Sequence, residues 1–528
     1  MRTTLLHMMV WIGVAACALG PDLWLGDQLV PGGPWTDVWN SLWSMNFAHE
    51  SFSSGEFPWH TDALGHPEGG TVLLPDLWGA LFAGLAVPLL GLTATYTAWM
   101  VLQLALGGLV AQGFCTEWLN ASGLQRPESA RAGWVAGLAY TTAPVYLAGA
   151  TCGTTEAVAS AWPALAAWMA WRAHNDPQLR AIGIAAVSLF VAAVASWYAA
   201  VIATAFVGVF TAMALPRKDW RVVLPLLAGL GLILPFALWT HGIHTDPTHL
   251  ATRNPEILNS IRASFGAANP LGMLWPTDTA DIAIPSAKEA GLGYLHTGYI
   301  GLALLSASVV AIIRSPRATA AVAIAGGLCA ILALGPGTGD LLPYGLVNGW
   351  PGFSNLSLVW RLSGGTALAA ALLAASATRG RTSAVIALSM AIVLECAFFA
   401  PSAGGVAVSS VAPSSTLQLL STQPTGAVIT LPADANHPDL WRQTQHGQPV
   451  TSNINLRRSP AAAKWVHSAE TTEWDGLIQA AKEQGFRYVL VHQSKSLRSG
   501  SDRFLAAQLR NNGVRMGQDG RWNFYALW

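Results

Sequence analysis

Between Arg2 and Arg126 the sequence contains neither lysine nor arginine, although eight carboxylates fall between Asp22 and Asp76. In a membrane protein such a stretch belongs on the far side from the cytoplasm, because Lys and Arg close to a span hold their loop inside. Charge is scarce throughout. Only 11% of the 528 residues are Asp, Glu, Lys or Arg, and the two signs balance at 28 each. That balance excludes a basic stripe able to neutralise phosphates along a duplex, so nucleic acid is not an expected partner. Cysteine is also sparse: Cys17, Cys115, Cys152, Cys329 and Cys396 show no C-x-x-C spacing and lie in or beside apolar runs. They read as buried small hydrophobes rather than disulfides or a thiolate metal site.

What the chain does have is apolar length. It is 52% hydrophobic with 24 tryptophans and a mean hydropathy of +0.40, the profile of a polytopic helical membrane protein. The first run, Leu5 to Leu19, follows Arg2 and reads as an uncleaved span; Ala16-Cys17-Ala18 is only a weak signal-cleavage pattern. Runs long enough to cross a hydrocarbon core recur near 5–20, 95–114, 131–149, 155–173, 180–196, 197–215, 221–241, 293–313, 317–335, 361–378 and 383–401, about eleven spans. With the amino terminus cytoplasmic, the connections carrying Arg126 and Arg131, Arg172 and Arg180, Arg217 to Arg221, Arg314 and Arg317, and Arg379 and Arg381 all fall inside. Val72 to Gly91 is apolar but contains Pro75, Asp76 and Pro88, and counting it as a span would put those arginines outside. It is therefore expected to lie in the membrane interface. The external parts are then 21–94, a turn at 150–155, loops at 242–292 and 336–360, and everything after 402.

Residues 1–401 thus form a transmembrane domain, and 402–528 have a soluble rhythm of their own. Gly426 to Leu431 and Arg487 to His492 read as buried strands, and Trp474 to Gln484 and Asp502 to Asn511 as helices. The expectation is a small external α/β domain with a supporting or acceptor-recognition role.

The chemistry concentrates in the first external loop. Trp35, Trp39, Trp43 and Phe47 recur at helical spacing, and Asp37, Asn40, Ser41 and Ser44 lie on or near the other face. This predicts an interfacial helix with an aromatic, lipid-facing side and a polar side toward a wet cavity. Anchoring alone does not explain Asp37, since a carboxylate at that depth is costly unless it binds something. The turn-rich stretch 55–70 carries Glu56, His60, Asp62, His66 and Glu68. These are metal-ligand residue types, but their spacing matches no tetrahedral template, and an ordered loop with solvated charges is the plainer reading. Glu156, at the start of the fourth span, would ordinarily satisfy a helix dipole. Sharing a cavity with Asp37, it would form a carboxylate pair able to activate a hydroxyl, or to hold a divalent cation or a water.

Gly153 with Glu156, Ser196-Trp-Tyr198, Gly298-Tyr-Ile-Gly301, and Pro351-Gly-Phe353 followed by Arg361-Leu362, together with an acidic residue in a long first loop, resemble the integral-membrane glycosyltransferases of the GT-C superfamily. More closely, the chain looks like a bacterial branch related to dolichyl-phosphate-mannose and aminoarabinose transferases. The resemblance covers about residues 1–400 as topology; a tandem Asp-x-Asp or Asp-Glu signature is absent around Asp37, which leaves metal dependence open. It implies a multi-pass protein of the bacterial inner membrane that moves a sugar, with inversion, from a polyprenyl-phosphate donor to an acceptor hydroxyl of a cell-envelope glycan, lipid or protein. On that reading Asp37 and Glu156 are catalytic, Arg361 binds the lipid phosphate, and His60, Asp62, Tyr198 and Trp39 contribute to substrate binding. For Arg361 the bland alternative is snorkelling at a helix end. Two other classes compete: a carrier or flippase for lipid-linked sugars, and a catalytically inactive scaffold of the same fold.

Overall fold

The computed structural model describes residues 2–20, 28–34, 36–217, 219–246, 250, 255–262, 266–274, 298–335, 343–347, 350, 353, 356–399, 406–412, 414–432, 439–452, 459–493, 500–519 and 522–528. Within them a helix stands at each of the eleven apolar runs, from Arg2–Leu19 to Thr382–Phe399. Five helical stretches are long and apolar enough to cross a membrane: Leu92–Ala121, Trp197–Ala214, Trp220–Thr245, Pro316–Ala333 and Val359–Ala377. Five further apolar helices are shorter, among them Leu77–Leu90.

Proline and glycine set several of the boundaries. The run expected at 131–149 is broken into Arg126–Thr141 and Pro144–Thr151, because Pro144 pushes Ala143 out of the helical region (φ −60°, ψ 126°). The run expected at 155–173 is likewise divided. Glu156 sits in a separate 3₁₀ turn, Thr155–Val158, and the helix proper is Ala161–Asn175.

Ser363–Ala377 is the centre of the bundle, nearly wholly buried. Its sequence is dominated by alanine, glycine and leucine, and small residues let helix backbones approach closely where lipid supplies no hydrophobic drive. A Cβ on Gly326 would lie 2.3 Å from Ala369 Cβ, and one on Gly365 would lie 2.4 Å from Cys329 Sγ. Immediately before this helix comes the 3₁₀ turn Val359–Leu362, which carries Arg361. The rigid core of the bundle therefore fixes the base of that side chain.

After residue 406 the chain builds a four-stranded sheet. Ala427–Leu431 pairs in parallel with Phe486–His492, which pairs antiparallel with Trp522–Ala526, and Val514–Gln518 is the antiparallel edge. Helices Pro460–Ser468, Trp474–Glu483 and Gly500–Asn512 bury Trp465, Leu477 and Leu505 with Ile429 and Phe486 in one core. Both strands and both helices read from the sequence are present, shifted by a residue or two at their ends.

The first loop is stitched to this unit along its length. Leu29–Pro31 pairs with Val408–Ser410. Gly65 N donates to Ser452 O at 2.9 Å and Val450 N to Ala63 O at 2.9 Å. His66 Nε2 lies 2.9 Å from Gln484 O, Ser459 Oγ donates to His66 O, and Ala461 N donates to Glu68 Oε1. The histidines and acids of residues 55–70 thus divide between docking and solvent. Among the described residues no group of three His, Cys, Asp or Glu is arranged to hold a metal.

Candidate active site

Asp37 is the residue before the helix Val38–Ser53, at the N-cap position but with no side-chain cap hydrogen bond. It precedes the helix rather than occupying one of its faces. A close backbone contact fixes its place. Gly153 has φ +67°, and a Cβ there would meet Val38 Cβ at 2.5 Å and Val38 Cα at 2.7 Å. Only glycine combines that left-handed conformation with that approach. The same junction is tied by Gly33 N to Thr151 O at 2.9 Å, and by the buried Tyr96 hydroxyl, 2.8 Å from Pro31 O and 2.9 Å from Gly153 O. The start of the first-loop helix is therefore held against the turn that leads into Glu156.

Glu156 is paired, but with Arg361 rather than with Asp37. Arg361 Nη1 donates to Glu156 Oε1 at 2.8 Å, with side-chain exposures of 5% and 19%. The guanidinium lies 5.0 Å from the Tyr198 ring centroid and 5.7 Å from that of Trp360, a cation–π platform on one side of the ion pair. Tyr198 is anchored in turn: its hydroxyl accepts from Ser357 N at 3.1 Å and Leu358 N at 2.9 Å. Arg361 Nε is buried without a hydrogen-bond partner among the described residues. A guanidinium so enclosed is not snorkelling. Asp37 adjoins this pair along the chain contacts: Val38, the next residue, lies against Gly153, three residues before Glu156.

Asp76 joins them, and sequence reasoning missed it. It caps the helix Leu77–Leu90, its Oδ1 accepting from Gly79 N at 2.9 Å, while Oδ2 accepts from Trp99 Nε1 at 2.7 Å. Burial pushes its carboxyl up to about 6 against the pull of hydrogen bonds from Gly79, Trp99 and Thr155, and the neighbouring Glu156 adds to the rise. The sequence signal was the capping pattern of an Asp ahead of an apolar helix, which says nothing of Glu156.

The remaining predicted residues lie elsewhere or act indirectly. Trp39 is buried and donates from Nε1 to Pro34 O at 2.9 Å, closing its own turn. His60 and Asp62 form an exposed pair, Nε2 to Oδ1 3.4 Å, at 57% and 89% exposure. Among the described residues no hydrogen bond or ion pair joins either to Asp37, Glu156 or Arg361. The lipid-facing aromatic side expected of the first-loop helix is instead packed on protein. Trp43, 1% exposed, donates from Nε1 to Gln443 Oε1 at 2.9 Å and stacks on Phe47 at 4.9 Å, and Ser41 and Ser44 on the other side are buried too. Trp35, Pro351 and Gly352 lie outside the described residues.

No family model and no curated protein matches this sequence. Solved structures do. The archaeal oligosaccharyltransferase AglB from Archaeoglobus fulgidus, in complex with an inhibitory peptide and a dolichol-phosphate, superposes with a TM-score of 0.51 over 93% of this chain and 69% of that one, at 11% identity. The Archaeoglobus fulgidus enzyme tethered by a disulfide to an acceptor peptide containing the NVT sequon gives 0.52 at 11% identity, with the same coverage. The chain has the GT-C fold. The match extends past residue 400 into the C-terminal unit, since 93% of 528 residues cannot be reached before residue 400 alone. The GT-C fold and the apolar helices together make this a multi-pass membrane protein.

Within that GT-C fold the site offers three distinct chemical states of a carboxylate. Glu156 is paired with a guanidinium, Asp76 accepts from Gly79 N and Trp99 Nε1, and Asp37 makes no side-chain cap hydrogen bond.

Proposed function

We propose that this chain is a membrane glycosyltransferase that moves a sugar from a polyprenyl-phosphate donor to an acceptor hydroxyl on the outer face of a bacterial inner membrane. The supporting observation is the uncapped Asp37 carboxylate set beside a buried Arg361–Glu156 pair within a GT-C fold. The acceptor oxygen attacks the anomeric carbon, the bond from that carbon to the phosphate oxygen breaks with the electron pair going to phosphate, and the hydroxyl proton passes to Asp37. A single displacement of this kind inverts the anomeric centre. Arg361 would neutralise the departing phosphate, for which a planar, always-charged donor is suited. Tyr198 keeps the guanidinium flat against the bundle. Glu156 holds Arg361 in place until the donor arrives.

A divalent cation fits this donor set poorly. Glu156 and Asp76 already have partners, which leaves Asp37 as the one uncapped carboxylate of the three among the described residues, where a hard cation wants several oxygens, and no step here is routed through a metal. The topology belongs to the same reading: amino terminus inside, first loop and residues from 402 onward outside.

The test is turnover by purified protein in lipid nanodiscs given short-chain polyprenyl-phosphate sugars, with released polyprenyl phosphate measured by mass spectrometry, with and without chelator. Acceptor-dependent release that survives chelation is expected. Movement of intact donor between leaflets without release would make the chain a carrier.

A further inference from the structure

Arg262 is 4% exposed and reaches the Arg361 site from another part of the chain. It follows the short helix Pro255–Ile261. Its Nε donates to Leu356 O at 2.6 Å, and its Nη1 donates to Asn259 Oδ1 at 2.9 Å. Leu356 opens the segment that leads into the Arg361 turn. The next two residues, Ser357 and Leu358, give their N–H groups to the Tyr198 hydroxyl at 3.1 and 2.9 Å, and Leu358 O accepts from Arg361 N at 3.0 Å. Hydrogen bonds and peptide units thus connect the Arg262 guanidinium to both the Tyr198 side chain and the Arg361 backbone. Packing along this path is close: a Cβ on Gly266 would collide with Ser357 O, and one on Gly335 would stand 2.9 Å from Val359 Cγ2 and 3.1 Å from Ala267 Cβ.

Leu356 is 2% exposed, so its carbonyl needs a donor from within the protein, and a charged donor makes the stronger bond. We infer that Arg262 is a positioning residue for the lipid-phosphate site: by holding Leu356 O it sets the 356–358 backbone, and through that backbone the Tyr198 ring on which the Arg361 guanidinium rests at 5.0 Å. The bond carries the effect rather than the charge, because the connection to the site passes through one carbonyl. This inference rests on the reading of Arg361 as the group that meets the donor phosphate.

Two substitutions separate bond from charge. The amide nitrogen of glutamine stands as many bonds from Cα as the Nε of arginine, so Arg262→Gln keeps a donor for Leu356 O and loses the charge, whereas Arg262→Met keeps the length and loses both. Both variants give up the Nη1 bond to Asn259 alike. The probe is short-chain polyprenyl phosphate, titrated onto nanodisc-embedded protein at a temperature where every variant is folded. Arg262→Met is expected to bind it about 2- to 30-fold more weakly, the range over which residues without ligand contact tune a site, and Arg262→Gln to stay within about twofold of wild type. Tyr198→Phe removes the hydroxyl and leaves the ring; it should weaken binding similarly, and Arg262→Met should add little to it, because residues acting through one segment are non-additive. If Arg262→Met does not fold, near-wild-type binding by Arg262→Gln together with the Tyr198→Phe loss supports the inference. A loss in Arg262→Gln as large as that in Arg262→Met or Arg361→Lys would make the charge of Arg262 the active element and overturn it. Fully additive losses, or wild-type binding by Arg262→Met or Tyr198→Phe, would overturn it too, and each leaves the proposed function intact. Unchanged affinity in Arg361→Lys would instead remove Arg361 from donor binding and take this inference with it.

Discussion

Arg361 and His446 show how burial decides what a single side chain can do. Arg361 is held by a carboxylate at 2.8 Å and an aromatic face, and removing one partner of a buried ion pair costs about 3–5 kcal/mol because the other charge is left uncompensated. Arg361→Ala is therefore expected to lower the melting temperature together with donor affinity. Arg361→Lys is the cleaner variant: it keeps the charge but loses the planar fork. It should fold, and bind polyprenyl phosphate about tenfold more weakly or worse, the scale of one charge-assisted hydrogen bond. Titration of the purified variant measures this, and unchanged affinity would take Arg361 out of donor binding. His446 lies in the C-terminal unit, where burial and then the charge of Arg442 push its imidazole down to about 3. It is neutral in the fold and protonates near its ordinary value of about 6.5 when unfolded. Its contribution to stability is thus complete above that value and is lost as pH falls from there toward 3. Melting temperatures at pH 7.5 and pH 5 should show a larger acid-side drop for wild type than for His446→Gln; equal drops would contradict the assignment.

For the Val38–Ser53 helix, periodicity settled the shape and left the environment open. An aromatic stripe opposite serines reads the same whether its partner is lipid or protein. The partner, Asp439–His446, lies 400 residues away and is met through Trp43 and Gln443. Asp76 was illegible for the same reason: its meaning depends on Trp99 and Thr155, which only the tertiary fold brings to it. Strands in the C-terminal unit were legible because their apolar runs are short and bounded by turn residues. The helix that carries Asp37 at its start is thus clamped by that unit, which gives a prediction at this scale. Trp43→Phe leaves the buried Gln443 amide without its donor, at a cost of about 1–3 kcal/mol, and should slow transfer while sparing polyprenyl-phosphate binding. Adding Gln443→Leu removes the stranded amide and should recover the lost stability, read as melting temperature. In the Leu77–Leu90 helix, Leu85 and Leu89 are exposed at 78% and 83%. Spin labels there should report shallow interfacial depth, and a label at the bilayer midplane would make this helix a span.

Across the whole molecule, long apolar runs made the membrane class and the helix positions readable, since hydrophobic length is a bulk property. The way loops 21–94 and 150–156 meet was not readable, because it turns on one glycine contact, Gly153 against Val38. Topology can be checked directly: alkaline phosphatase fused after residue 410 should be active, and an inactive fusion would place the C-terminal unit inside. The site itself is tested most directly by comparing two acids of the first loop. Asp37→Asn keeps size and hydrogen bonding but cannot accept the proton, so polyprenyl phosphate release should fall about 10²- to 10⁴-fold with donor binding preserved. Asp62→Asn, exposed and unconnected to Arg361, should turn over like wild type. Wild-type release by Asp37→Asn under the same conditions would contradict Asp37 as the base and, with it, the transferase built around it.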